Sequence, residues 1–210
     1  MKLHPEILSA KQKTLLAQLG SAMTNLGFYL AGGTAVALHL GHRRSIDFDW
    51  FTTERMSDAL QLAQMLREQG IPITLSSFAR GTLHGTVSGV RVTMLEFRYP
   101  HLKRPQYWRE YSCVLASLDD LASMKLSAIA QRGARKDFID LYALSREHKD
   151  LKQILKLYAR KFAVDDLGHV LYALAYFDDA EREPMPRMLW KETWQKIKKE
   201  IQSQVRMISV

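Results

Sequence analysis

Two rhythms of apolar residues run through this chain. Over residues 5–25 they return at helical spacing: Ile7, Leu8, Leu15, Leu16, Leu19 and Met23 supply one side, Pro5 suits the first turn, and Gly27 ends the element. Residues 28–31 are an apolar strand, 34–41 a short helix, and 45–51 a second strand. Side chains on a strand alternate between faces, so Asp47 and Asp49 project from one face and Ile46, Phe48 and Trp50 from the other. The spacing then predicts a helix over 58–69, capped by Ser57, burying Leu60, Ala63, Met65 and Leu66 and closed by Gly70. Extended runs follow at 71–78, 82–87 and 90–98. Ser88-Gly89 marks a hairpin between the last two, and Tyr99-Pro100 stops the final run.

Near residue 117 the pattern changes. Ser117-Leu-Asp-Asp120 is a capping-box variant, and helical periodicity covers 118–131, 137–148, 151–162, 165–179 and 187–208. Gly133, the Glu183-Pro-Met-Pro186 segment and short polar links separate these helices. In the last of them Trp190, Trp194, Ile197, Ile201, Val205 and Ile208 form a stripe that reads as core. The expected class is α+β. A small mixed sheet with flanking helices occupies residues 1–112, and an all-helical domain occupies 113–210.

The chemistry concentrates in residues 28–51, FYLAGGTAVALHLGHRRSIDFDWF. Gly32 and Gly33 let the backbone approach a ligand with no Cβ in the way. The helix that follows offers free N–H groups to an anion, and Thr34 is placed to cap it and to donate its hydroxyl to a phosphate oxygen. Two carboxylates side by side repel each other unless a cation sits between them. For Asp47 and Asp49 the cation of choice is Mg²⁺, with Mn²⁺ as the alternative, and its usual partner is a nucleoside triphosphate. Taken singly, a Gly-Gly pair is an ordinary turn and an Asp-x-Asp an ordinary solvated strand face. Their order and their apolar surroundings point to one shared cleft.

Further along, Glu96 is an acid among apolar neighbours late in a strand. It is either a solvated edge residue or a third carboxylate that binds metal or accepts a proton. Lys125 stands inside the apolar stripe of helix 118–131, with Arg132 further along the same side. It either snorkels at the edge of the core or holds phosphate oxygens as a compact charge. Asp137 and Asp140 share a helix face. Asp137 complements the dipole of the first turn, whereas Arg135 and Lys136 oppose it unless they meet an anion or pair with these aspartates.

Composition narrows the partners. Across 210 residues, 47% hydrophobic and 25% charged residues describe a soluble globular chain, and no stretch approaches the length that crosses a bilayer. The proline-interrupted, basic start does not read as a signal peptide. Cys113 stands alone, which excludes an intrachain disulfide and a cysteine-based zinc cluster and fits a cytoplasmic location. A net charge of +8, densest at 42–44, 132–136 and 191–199, favours a polyanionic partner.

Taken together, Gly32-Gly33-Thr34-Ala35, Arg44-Ser45-Ile-Asp47-Phe-Asp49 and Lys125…Arg132…Lys136-Asp137-Phe-Ile-Asp140-Leu resemble the AbiEii-type nucleotidyltransferases. These are toxins of bacterial type IV toxin–antitoxin and abortive-infection systems, within the DNA-polymerase-β-like superfamily. The resemblance spans roughly residues 27–145. It implies a nucleotidyltransferase fold followed by a helical domain, and Mg²⁺-dependent transfer of a nucleoside monophosphate to an acceptor hydroxyl, on tRNA in some relatives. It also implies a cognate antitoxin as partner. Asp47 and Asp49 are then the metal ligands and, with Lys125, Asp137 and Glu96, the catalytic set. Gly32, Gly33, Thr34, Arg44, Ser45, Arg132, Lys136 and Asp140 are the nucleotide-binding set. Glu96 matches the superfamily's third strand acid only loosely. A small-molecule or protein acceptor, or a binding module without activity, are the competing readings.

Overall fold

The computed structural model describes residues 3–56 and 58–208. Seven strands form one mixed sheet: β1 (Tyr29–Ala31), β2 (Phe48–Thr52), β3 (Ile73–Ala79), β4 (Thr82–Val87), β5 (Val90–Glu96), β6 (Gln106–Trp108) and β7 (Cys113–Leu115). Their order is β3-β4-β5-β2-β1-β7-β6. β2 runs antiparallel to β1 and parallel to β5, and β1 runs parallel to β7. The expected small mixed sheet is therefore present. β6 and β7 were not anticipated, because three residues are too few to show alternation.

Helices α1 (Ala10–Asn25), α2 (Gly32–Leu40) and α3 (Ala59–Glu68) are interleaved with the first strands. α4 (Leu118–Arg132), α5 (Arg135–Glu147), α6 (Leu151–Phe162), α7 (Gly168–Ala175), α8 (Asp178–Glu181) and α9 (Trp194–Ile208) follow the last. α1 packs on β5 and β7 and α3 on β3, whereas α2 packs on β2, α4 and α5. α2 thus joins the sheet to the helical half. The apolar core runs without a break from Ile7 to Ile201. Phe48 and Trp50 are fully buried in it, and each such side chain contributes roughly 2–3 kcal/mol by leaving water.

Several boundaries differ from the expectation for local reasons. The first helix is interrupted at Ser9, whose side chain starts α1 in a capping box with Gln12. The acidic strand begins only at Phe48, so Asp47 lies just before it and Ile46 is 66% exposed rather than sharing a buried face. On α3 the buried stripe is Ala59, Leu62, Ala63 and Leu66, at positions i, i+3, i+4 and i+7. Leu60 and Met65 flank that stripe and are exposed. Ser57, the expected cap, lies outside the described residues; Asp58 accepts a hydrogen bond from the Leu60 N–H. The last helix starts only at Trp194, because residues 187–190 hydrogen-bond to residues 42–44 instead. Within that segment Met188 bridges to Arg43.

Candidate active site

α2 begins directly at the end of β1, and its first residue, Gly32, has φ +62°. A Cβ on Gly32 would stand 2.3 Å from Asp49 Oδ2, and one on Gly33 would stand 2.4 Å from Arg43 Nη2. Gly32 is therefore required by its φ and by the Asp49 side chain pressed against it, whereas a side chain on Gly33 would have to displace the end of Arg43. The helix has no side-chain cap. Thr34, expected to supply one, is already inside the helix and buried. Its hydroxyl meets the Asp47 carbonyl and the Ser45 hydroxyl, which ties the start of α2 to the loop before β2. The first-turn N–H groups are left for an anion.

Asp47 and Asp49 differ in their surroundings. Arg91 on β5 forks onto Asp47, Nε to Oδ1 at 2.7 Å and Nη2 to Oδ2 at 3.0 Å. Asp49 is half-buried, and its carboxylate has neither a hydrogen bond nor an ion pair among the described residues. Burial raises its pKa, the Lys125 charge opposes that rise, and the Asp47 charge adds to it, so the net shift is upward. A desolvated carboxylate beside another, with Lys125, Lys136 and Arg132 near it but none in contact, is only partly neutralised. That arrangement fits a hard divalent cation, which takes one or two carboxylates and completes its shell with phosphate oxygens and water. Among the described residues no cluster of three His, Cys, Asp or Glu side chains can hold a metal. Glu96 therefore does not join the pair. Thr93, not Glu96, is the register partner of Asp49, and the Glu96 carboxylate accepts from the Met56 N–H instead.

Behind the carboxylates lies a buried charge network. Lys125 Nζ reaches Asp137 Oδ1 at 2.9 Å and Asp140 Oδ2 at 2.7 Å. Arg132 forks onto Asp137, Arg43 forks onto Asp140, and His42 Nε2 lies 2.7 Å from Asp140 Oδ1. Burial alone would push the Asp140 carboxyl up, but Arg43 and Lys125 outweigh it and hold the group well below the usual carboxylate range. Asp137 is lowered in the same way by Lys125 and Arg132. Burial pushes Lys125 down, and Asp137 and Asp140 more than restore it, so it stays charged. Burial lowers His42, which keeps the imidazole neutral with the Nε2 proton donated to Asp140. Arg135 does not pair with these aspartates. It binds the Ala180 and Glu181 carbonyls and stacks over Trp194.

Two cavities flank the site. One of about 410 Å³ is lined by Arg43, Arg44, Ser45, Asp47, Arg91, Lys136 and Arg187. Lys136 has no hydrogen bond or ion pair among the described residues, and Arg44 Nε is buried without a partner. Cationic groups outnumber carboxylates on this wall. The other cavity, about 500 Å³, is lined by Gly32, Phe51, Leu95, Glu96, Phe97, Met124, Lys125 and Arg132. Sequence reasoning singled out Arg44 but not Arg43, Arg91 or Arg187. Nothing in a run of two arginines tells which one turns inward.

Comparison with known proteins bears on this arrangement. A family model described as "Nucleotidyl transferase AbiEii toxin, Type IV TA system" matches residues 14–207. An uncharacterized protein of Aquifex aeolicus (strain VF5) is 36% identical over 178 residues, covering 84% of this chain and 86% of that protein. Among solved structures, the nucleotidyltransferase toxin MenT4 of Mycobacterium tuberculosis H37Rv superposes with a TM-score of 0.56 at 12% identity, over 94% of this chain and 86% of that one. JHP933 of Helicobacter pylori gives 0.54 at 14% identity, over 98% and 93%. The antibiotic-resistance factor ANT(2'')-Ia gives 0.57 at 10% identity, over 74% and 94%. At these identities the structural similarities show a shared fold.

Proposed function

The chain belongs to the AbiEii family of nucleotidyltransferase toxins of type IV toxin–antitoxin systems, and we propose that it transfers a nucleoside monophosphate from a triphosphate to a hydroxyl of RNA, with tRNA as the acceptor. The observation that carries this reading is the Asp49 carboxylate, unpaired, set against Gly32 and next to Asp47.

Asp47 and Asp49 are the residues that would hold Mg²⁺, with Mn²⁺ as a substitute. A bound ion lowers the pKa of the acceptor hydroxyl and offsets charge on the departing pyrophosphate. The free N–H groups opening α2 and the cations Arg44 and Lys136 hold the triphosphate, with Ser45 on the same wall. Lys125 has three N–H donors, and its two carboxylate partners leave one for a phosphate oxygen. Asp137 and Asp140 act as positioning residues that keep Lys125 charged and fixed, with Arg132 braced on Asp137. In the transfer, the acceptor oxygen bonds to the α-phosphorus, the α–β phosphoanhydride bond breaks, and pyrophosphate leaves. The net charge of +8 supports a polyanionic acceptor. No helix among the described residues is long and apolar enough to cross a membrane; the cytoplasm and a cognate antitoxin complete the reading.

The test is incubation with each of the four α-labelled triphosphates, Mg²⁺ and total RNA. Label in RNA of tRNA size is expected from one or more nucleotides. Label in protein or a small molecule would reassign the acceptor, and no label would refute the activity for this chain.

A further inference from the structure

We propose that the open face of β3, β4 and β5 is the surface along which the acceptor RNA lies as its reacting hydroxyl reaches Asp47 and Asp49; this rests on the RNA reading above. Two rows of side chains lead across the sheet from the carboxylates. In one, Asp49 is the register partner of Thr93, Thr93 of His84, and His84 of Ser77. In the other, Arg91, which holds Asp47, is the partner of Thr86, and Thr86 of Thr74. Residues directly opposite on paired strands share a face. Thr74, Ser77, His84 and Arg91 are exposed and Thr86 and Thr93 half-buried, whereas Leu83, Val87, Val92 and Met94 on the other face are buried. With strands spaced about 4.8 Å apart, the rows extend roughly 14 Å outward from β2.

The chemistry of this face selects its occupant. No aspartate or glutamate lies between Glu68 and Glu96, while Arg80, His84 and Arg91 do. Arg80, in the turn between β3 and β4, is exposed and has no hydrogen bond or ion pair among the described residues. The threonine and serine hydroxyls both donate and accept, which suits phosphate oxygens and 2′-hydroxyls. Neither row presents a large apolar side chain; the apolar pair on this face, Phe51 and Leu95, sits in the next row and is half-buried. A strip without acids that starts at the carboxylate pair is complementary to a polyanion. The other surface next to the site runs the opposite way. Tyr172 and Tyr176 stack in the open at 6.4 Å beside a cavity that Arg132 also lines. Asp178 and Asp179, however, put negative charge near Tyr176 and repel phosphate.

The experiment uses the full chain and the double variant Ser77→Glu/His84→Glu, which sets two carboxylates in the outer half of the strip, away from the proposed triphosphate wall. RNA labelling, RNA affinity across a salt series, affinity for a fluorescent triphosphate analogue and Tm are measured together. RNA affinity and labelling fall by about tenfold or more, and triphosphate affinity and Tm hold. Arg80→Ala, a milder change, flattens the slope of log affinity against log salt by about one. It carries the test alone if the double variant proves unstable. Wild-type RNA labelling and an unchanged salt slope in these variants would overturn the proposal and leave the RNA reading standing. Wild-type label found only in protein or a small molecule would overturn both.

Discussion

Asp49 and Gly32 are mutually dependent: the carboxylate occupies the space a side chain on Gly32 would need, with only 2.3 Å between Oδ2 and the position of a Cβ. Gly32 also adopts φ +62°, where an L-residue is strained by about 1–2 kcal/mol. Gly32→Ala therefore loses some stability and, by displacing Asp49, at least about tenfold in kcat/KM, as expected when a positioned group moves. Calorimetry and the labelling assay check both. Normal activity with a lowered Tm would show that Asp49 needs no fixed place.

Asp49→Asn separates chemistry from folding. Burial and the Asp47 charge raise the pKa of Asp49 in the folded chain, so the folded state favours the protonated carboxyl. As pH rises from the unfolded value of about 3.9 through the raised folded value, ionisation of Asp49 removes stability. An asparagine escapes that loss. The Tm of Asp49→Asn should match wild type in acid and exceed it at neutral pH, measured without divalent metal, while nucleotide transfer falls by about a thousandfold or more. A Tm gap that does not open with pH would contradict the assigned electrostatics.

Asp140 behaves oppositely. It meets Arg43, Lys125 and His42 in a site sealed from water. Removing one partner of a buried ion pair costs about 3–5 kcal/mol. Asp140→Asn should therefore lower Tm by roughly 6–20 °C for a chain of this size. Because Asp137 and Asp140 are lowered in the folded state, their contribution is present above about pH 4 and is lost as pH falls through the folded values. A Tm within about 1 °C of wild type at pH 7 would show that the network carries no stability.

Arg91→Ala is the surface counterpart. The arginine side chain is 66% exposed, and exposed ion pairs contribute about 0–1 kcal/mol. Tm should hardly move. Asp47, freed of its fork, should reach half-maximal activity at lower Mg²⁺. An unchanged or higher Mg²⁺ requirement would mean that Arg91 does not compete with the ion for Asp47.

Much of this site was legible in the residues themselves. The Gly-Gly pair and Asp49 were placed together by apolar strands on either side, and Lys125 stood out as a charge inside an apolar stripe. Asp137 and Asp140 were tied to each other by helical spacing. What sequence could not supply was orientation. Arg43 and Arg44 are adjacent cations, yet one is buried on Asp140 and the other lines a cavity. Arg91 alternated outward like any solvent-facing strand residue, and only the pairing of β2 with β5 brings it to Asp47. Glu96 stayed open between an edge residue and a third carboxylate, because its acidity was visible and its register was not. Ser9 and Gln12 carried a readable capping box that the longer apolar rhythm of residues 5–25 masked.

The central claim is that Asp47 and Asp49 jointly hold a divalent ion at the opening of α2. Uptake of Mn²⁺, followed by electron paramagnetic resonance in the presence of a non-hydrolysable triphosphate, tests it most directly. Wild type should bind Mn²⁺ beyond what the triphosphate binds alone and release it to Mg²⁺, and folded Asp49→Asn should bind none of that excess. Equal uptake by the variant would contradict the account.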